Sequence, residues 1–165
     1  MDVAIVSDTH IPSRARRLPD EFRQRIDAAD HVIHAGDFDS ENALADIRAL
    51  SRDLTAVGGN MDPRIGLPAV ARVELGGVEF VVTHGTGSPR GYEKRVLRTV
   101  REHAETDDPV GVSGHTHEVL DTTRDGIRLL NPGSATGAHP ATRATMLTAT
   151  AADGDLDVTR HAADR

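Results

Sequence analysis

Short apolar runs recur along the chain, and six of them stop at a residue able to bind a metal through nitrogen or oxygen. VAIV (3–6) gives way to Ser7-Asp8-Thr9-His10, HVIHA (31–35) to Gly36-Asp37, and LTAV (54–57) to Gly58-Gly59-Asn60. FVVT (80–83) is followed by His84-Gly85, VGVS (110–113) by Gly114-His115-Thr116-His117, and IRLL (127–130) by Asn131-Pro132-Gly133-Ser134. Runs this short and this rich in Val and Ile read as strands. Open α/β sheets gather ligands beyond the carboxyl ends of their strands, where several loops converge. Six such endings therefore point to one shared site.

The stretches between the runs complete an α/β pattern. Asp20 to Ala28 has helical spacing, with Phe22 and Ile26 four apart. Ser40 caps a second helix to about Leu50, whose Ala43, Leu44, Ile47 and Leu50 share one face. Ser88 and Pro89 are expected to open a third, ending near His103. The second half is richer in hairpins: Val70–Leu75 with Val78–Thr83 across Gly76-Gly77, Val119–Thr123 with Ile127–Leu130 across Asp125-Gly126, and Ala144–Thr150 with Leu156–Arg160 across Asp153-Gly154. Two sheets follow. With 165 residues, no internal repeat and no linker, the whole chain reads as one domain over residues 1–165, its last few residues loose.

Composition removes whole classes of function. The chain has no cysteine, so thiolate metal sites, iron–sulfur clusters and disulfides are out, and any metal must sit on nitrogen and oxygen. A net charge of −7 offers no basic face for duplex nucleic acid, and 2% aromatic content offers no stacking platform for single strands. No apolar run approaches the ~20 residues that span a bilayer. Asp2 and VAIV follow Met1 directly, leaving no room for a leader, so a cytoplasmic location is expected.

The seven strand-end donors are Asp8, His10, Asp37, Asn60, His84, His115 and His117. In Asp8-Thr9-His10 and His115-Thr116-His117 the side chains are two apart, so an extended backbone would send both members of each pair to one face. Seven donors exceed one tetrahedral zinc site and suit two divalent ions sharing a bridging carboxylate, for which Asp37 is the natural candidate. Oxygen mixed with imidazole fits manganese best in this reading, with nickel, cobalt, zinc or iron as alternatives. Two such ions carry +4 against −2 from the aspartates, so the site would draw a phosphate-like anion into an acidic protein. Water activated between them would attack phosphorus in line, with His84, His115 and their neighbours stabilising the growing charge.

The ordered set Asp8/His10, Gly36-Asp37, Gly59-Asn60, His84 and Gly114-His115-Thr116-His117 resembles the calcineurin-like metallophosphoesterases. HAGD, THG, SGHTH and NPGS are most similar to the small bacterial and archaeal phosphodiesterase branch, to which the retromer-subunit fold also belongs. The resemblance covers the first strand to about Ser134. It implies a four-layer sandwich of two mixed sheets flanked by helices, with the site along one edge. It also implies one metal on Asp8, His10, Asp37 and His117, and a second on Asp37, Asn60, His84 and His115. Catalysis would fall to Asp37, Asn60, His84 and His115 acting on a small phosphoester. Larger relatives carry a histidine after the GN pair as proton donor; Met61 stands there, and it can neither donate a proton nor carry charge.

Other polar residues read differently. His31 and His34 lie within a strand and suit packing or support of the site rather than ligation. Asn131-Pro132-Gly133-Ser134 suits a turn that supports the site's edge, His139 a solvent-exposed loop, and Arg14, Arg16 and Arg17 a solvated one. Asp62 would turn the chain before Pro63, and Gly87 to Arg95 would shape a substrate pocket. The alternative from another class is a binding or scaffold protein of the same fold with weak or no catalysis. No membrane or duplex nucleic-acid partner is expected, and a homo-oligomer is left open.

Overall fold

A computed structural model describes residues 1–165. Ten strands and three helices run in the order β1 (Asp2–Val6), α1 (Asp20–Ala28), β2 (His31–His34), α2 (Glu41–Leu50), β3 (Leu54–Ala56), β4 (Val70–Leu75), β5 (Val78–Thr83), α3 (Tyr92–His103), β6 (Val110–Val112), β7 (Val119–Arg124), β8 (Ile127–Pro132), β9 (Ala144–Ala152) and β10 (Asp155–Ala163). They form two mixed five-stranded sheets, ordered β10-β9-β1-β2-β3 and β4-β5-β6-β8-β7. The strands that precede the candidate donors are parallel within each sheet: β1, β2 and β3 in one, β5, β6 and β8 in the other.

Side-chain alternation along the strands builds the layers. Val3 and Ile5 of β1 join Ile33, Phe80, Val82, Val112, Leu130 and Leu147 in a core between the two sheets. Ala4 and Val6 point the other way, into a core with Phe22 and Ile26 of α1 and Leu44 and Ile47 of α2. On the far side, Val81 and Leu129 pack against Val96, Leu97 and Val100 of α3. The result is the expected four-layer sandwich. No helix is long and apolar enough to cross a membrane.

The three hairpins turn where glycine pairs and Asp-Gly pairs place them, and both residues of each turn have positive φ: Gly76 and Gly77 at 57° and 81°, Asp125 and Gly126 at 49° and 81°, Asp153 and Gly154 at 53° and 83°. Ser40 caps α2 as expected, its hydroxyl accepting from Ala43 N at 3.1 Å. Several boundaries differ, three of them by more than a residue and at a position that matters to the site or the chain end. The third helix starts at Tyr92 rather than at Ser88-Pro89, because Gly91 takes a left-handed φ of 76° that interrupts any earlier turn. Ser88 closes a small turn instead, accepting from Arg90 N at 3.2 Å. Strand β8 continues through Asn131 and Pro132, and β10 pairs with β9 as far as Ala163, so the end of the chain is held almost to its last residues.

Gly111 of β6 lies where α3 presses on the sheet: a methyl group there would meet Leu129 Cδ2 and Val100 Cγ2, each at 2.7 Å. Gly111→Ala should cost about 1–3 kcal/mol by overpacking. The denaturation midpoint in urea measures the loss, with an unchanged slope expected.

Candidate metal centre

At the carboxyl ends of the parallel strands the two sheets bring their loops together. The loop after β1 continues the ladder alongside the loop after β2: Asp8 N donates to Gly36 O (2.9 Å), His10 N to Asp37 O (3.1 Å) and Ile11 N to Phe38 O (3.1 Å). From the other sheet, Gly114 N donates to His84 O at 3.1 Å, and His115 N donates to Asp8 Oδ2 at 3.0 Å across the sandwich. Close approach explains the glycines at two points. A Cβ on Gly59 would lie 2.1 Å from Asp37 Oδ1, and one on Gly114 would lie 2.6 Å from Asp8 Oδ2.

The donors converge by a backbone route that differs from the expected one. Asp8, His10, His115 and His117 are not extended; their φ angles are 51°, 47°, 73° and 60°, and Asp37 and Asp39 follow at 62° and 79°. Left-handed backbone is costly for non-glycine residues, and it persists only where the surroundings over-determine it. The other two non-glycine residues with positive φ, Asp125 and Asp153, sit in hairpin turns. Left-handed kinks at the ends of strands, rather than pleated alternation, aim these side chains inward.

Five of the seven candidates are buried and gathered: Asp8, His10, Asp37, His84 and His117. They make two groups of potential ligand atoms, Asp8 with His10 and His117, and Asp8 with Asp37 and His84. Asp37 Oδ2 also reaches toward both, at 3.1 Å from His84 Nε2 and 3.6 Å from His10 Nε2. Asn60 and His115 belong to neither group. Asn60 is exposed and His115 half-buried, and they face each other at the rim, with His115 Nδ1 3.0 Å from Asn60 Oδ1.

Proton accounting shows what this cluster is suited to hold. His10 Nδ1 donates to Asp39 Oδ1 at 2.9 Å, and His117 Nδ1 donates to the Ala138 carbonyl at 2.9 Å. In the neutral imidazoles the two Nε2 atoms are then bare, yet they face each other at 3.1 Å. His84 Nδ1 donates to Ala35 O at 2.7 Å, which leaves its buried Nε2 without a hydrogen-bond partner, aimed at the two aspartates. Asp8 Oδ1 is likewise buried and unpartnered, 3.3 Å from His117 Nε2. Buried lone pairs converging in this way need a cation or extra protons between them. A divalent ion fits the donor set, nitrogen and carboxylate oxygen with fixed tautomers.

Several of the supporting residues carry no individual signal in the sequence. Asp39 orients His10. Asp62 does not merely turn the chain: its Oδ2 accepts from Asp37 N (3.0 Å) and Gly59 N (2.8 Å), and its Oδ1 from Asp39 N (2.8 Å), tying the second loop to the third. Met61 contributes its backbone, its N–H donating to Asp37 Oδ1 at 2.8 Å while its side chain is exposed. The 131–134 segment supports the site's edge, as expected. Asn131 Nδ2 donates to Gly114 O (2.9 Å) and to Thr116 Oγ1 (3.0 Å), and Ser134 Oγ donates to Asp8 O at 2.7 Å.

The remaining polar residues stay outside the cluster. His34 is buried, stacked on Phe38, and accepts from Gly36 N through Nδ1; burial pushes its pKa down to about 3, so it is neutral. His31 bonds Thr55. His139 is exposed, and Arg14 donates to its carbonyl, so this arginine braces a loop; Arg16 and Arg17 are exposed.

The sequence profile described as the calcineurin-like phosphoesterase superfamily domain matches residues 1–154. The chain belongs to that superfamily. A probable metallophosphoesterase of Methanocaldococcus jannaschii is 37% identical over 138 residues, covering 82% of this chain and 69% of the relative. One from Methanothermobacter thermautotrophicus is 33% identical over 138 residues, covering 82% and 78%. Among solved structures, wild-type Vps29 of Entamoeba histolytica, crystallised as a zinc complex, superposes with a TM-score of 0.78 at 24% identity, over 98% of this chain and 99% of that one. That likeness is one of fold.

The charges fit a site where protons and a cation compete. Burial pushes the Asp8 carboxyl up, but the adjacent imidazoles of His10, His117 and His84 outweigh it and hold it well below the usual carboxylate range. Asp37 is also lowered, burial being outweighed by His84 and the Met61 N–H. Burial lowers His10 and His84, but the carboxylates beside them, Asp8 and Asp37 first, raise both above the ordinary imidazole value. Histidines raised in the folded state stabilise it below about pH 6.5, and that contribution is lost as pH rises through their folded values. A bound cation replaces those protons. Metal-stripped protein in chelator should therefore lose thermal stability as pH rises above about 6.5, and manganese should abolish the loss, as melting curves at rising pH would show. Asp62→Ala should leave the fold intact and weaken metal binding about 10- to 100-fold, measured by competition with a chelating indicator.

Proposed function

We propose that the protein is a phosphodiesterase that uses two divalent cations, manganese first among them, to hydrolyse a small phosphoester. The observation that carries this reading is the set of buried ligand-type atoms aimed at one another: Asp8 Oδ1, His84 Nε2, and the facing Nε2 atoms of His10 and His117. Asp8, His10, Asp37 and His117 would hold one cation, and Asp37, Asn60, His84 and His115 the other. When bound, such ions supply counter-charge to the phosphate and a water made acidic enough to attack.

The chain's own groups do the rest. Asp39, Ala138 and Ala35 accept the Nδ1 protons of His10, His117 and His84, so each presents Nε2 inward. His115 is held between two partners, its Nε2 2.8 Å from the Gly87 carbonyl and its Nδ1 3.0 Å from Asn60 Oδ1. His115 and Asn60, at the open rim, are where an ester would first meet the site and where charge growing on its oxygens would be met. The buried hydroxyls at this point are spent on holding Asp8: Ser7 Oγ donates to Asp8 Oδ2 at 2.6 Å and Ser134 Oγ to Asp8 O at 2.7 Å. Met61 offers no proton to a leaving alkoxide, so turnover should favour esters whose leaving group needs none. Across aryl phosphate diesters of graded leaving-group pKa, the rate should fall as that pKa rises.

A second reading, a binding scaffold, is favoured by the fold likeness to Vps29. A scaffold has no need for two carboxylates and three imidazoles buried together, with the three Nδ1 atoms turned to outside acceptors. Metal-dependent turnover of bis(p-nitrophenyl) phosphate separates the two. Asp37→Asn should deplete both metal positions and lower turnover at least about 100-fold, and His117→Ala should deplete mainly one. Wild-type metal content and turnover in both variants, by elemental analysis and p-nitrophenolate release, would refute the assignment.

A further inference from the structure

A cavity of about 860 Å³ opens beside the metal centre, with His115 of the rim in its lining. A volume of this order matches small-molecule sites. It is lined by the turn and first helical turn from Pro89 to Lys94 and by Glu118, Val119 and Leu120 at the start of β7. Arg124 also lines it, but its charge is spent on Glu93. Arg90 and Lys94 are both exposed, and neither forms an ion pair or a side-chain hydrogen bond. Lys94 is the only lysine in a chain of net charge −7. Two free cations thus line a cavity that leads from the rim histidine.

We infer that this cavity receives one arm of the substrate and that Arg90 and Lys94 bind a second phosphate on that arm, making the substrate a phosphodiester with a phosphorylated sugar or nucleoside as one of its alcohols. The inference rests on the phosphodiesterase reading above and narrows its substrate class. Glu118 decides against a longer polyanion. It is an exposed carboxylate without an ion pair that lines the same cavity, and it would repel a third phosphate, whereas it can accept from sugar hydroxyls. Val119, Leu120, Pro89 and Pro140 supply apolar surface for the sugar and base. Exposed cation–phosphate contacts are individually weak, so two of them acting together should give about tenfold in affinity at low salt, and less as salt rises.

The test uses esters that share p-nitrophenolate as leaving group: the 5′-(p-nitrophenyl phosphate) of thymidine, the same ester with a 3′-phosphate, and that ester extended by one further nucleotide phosphate. With the manganese-loaded protein, kcat/KM should rise about tenfold from the first to the second, through KM, and gain nothing from the third. Arg90→Gln/Lys94→Gln should erase that gain and leave bis(p-nitrophenyl) phosphate turnover within about twofold. A flat series, or a double variant that slows all esters alike, would overturn the inference. A parallel titration of metal-free protein with thymidine 3′,5′-bisphosphate and with thymidine 5′-monophosphate separates this result from failure of the phosphodiesterase reading. If no ester turns over, tighter binding of the bisphosphate by wild type, absent in the double variant, still supports the cavity's role, and equal binding refutes it.

Discussion

The structure depends on a buried meeting of lone pairs. Asp8 Oδ1, His84 Nε2 and the Nε2 atoms of His10 and His117 are held within a few ångströms of one another, with their compensating protons directed to Asp39, Ala138 and Ala35 on the outside. Left to itself such a cluster is unfavourable, because each buried acceptor loses its water without gaining a donor. The rest of the fold is arranged to tolerate it. The sandwich core anchors the strand ends, the kinked loops carry the donors inward, and Asp62, Asn131 and Ser134 tie those loops to one another. The same arrangement gives the site its affinity for positive charge.

Backbone strain and proton placement are two faces of that arrangement. Six polar residues at the site, Asp8, His10, Asp37, Asp39, His115 and His117, hold left-handed φ angles. Each conformation costs of the order of 1–3 kcal/mol and survives only because neighbours over-determine it. The ladder from Asp8, His10 and Ile11 onto Gly36, Asp37 and Phe38 does this for the first two loops, and the Asp62 carboxylate does it for the second and third. Support residues of this kind move the donors as a set.

Much of this was legible in the sequence. Hairpin turns were readable because Gly-Gly and Asp-Gly tolerate the positive φ that tight turns demand, and all three formed where those pairs stand. Convergence of five of the seven donors, Asp8, His10, Asp37, His84 and His117, was readable from their position after apolar runs, while Asn60 and His115 stay at the rim. The route was not: alternation two residues apart suggested extended backbone, whereas kinks at Asp8, His10, His115 and His117 do the aiming. Asp39 and Asp62 were invisible as site residues because an aspartate beside a ligand and one before a proline look like ordinary turn residues. Their roles arise only when β2 and β3 lie side by side and bring residues 37–39 against 59–62. Ser88-Pro89 carried a helix-start signal that Gly91 overrode, which moved the start of α3 to Tyr92 and left Pro89 and Arg90 in a turn on the cavity wall.

That displaced helix start bears on how the site selects what it acts upon. Had α3 begun at Ser88, residues 88–91 would continue its axis. The left-handed Gly91 instead turns the preceding segment aside, and Arg95 holds it there by donating to Gly85 O and Ser88 O, both at 3.0 Å. The same short segment carries the Gly87 carbonyl that orients His115 and the Arg90 side chain that lines the cavity. One loop therefore sets both the chemistry at the rim histidine and the charge met by whatever extends beyond it. Because Met61 has no proton to give at the third loop, discrimination among esters in the proposed reaction would come from leaving-group acidity and from this loop. The strand-end donors account for the reaction class, and the 85–95 segment is where its substrate would be chosen.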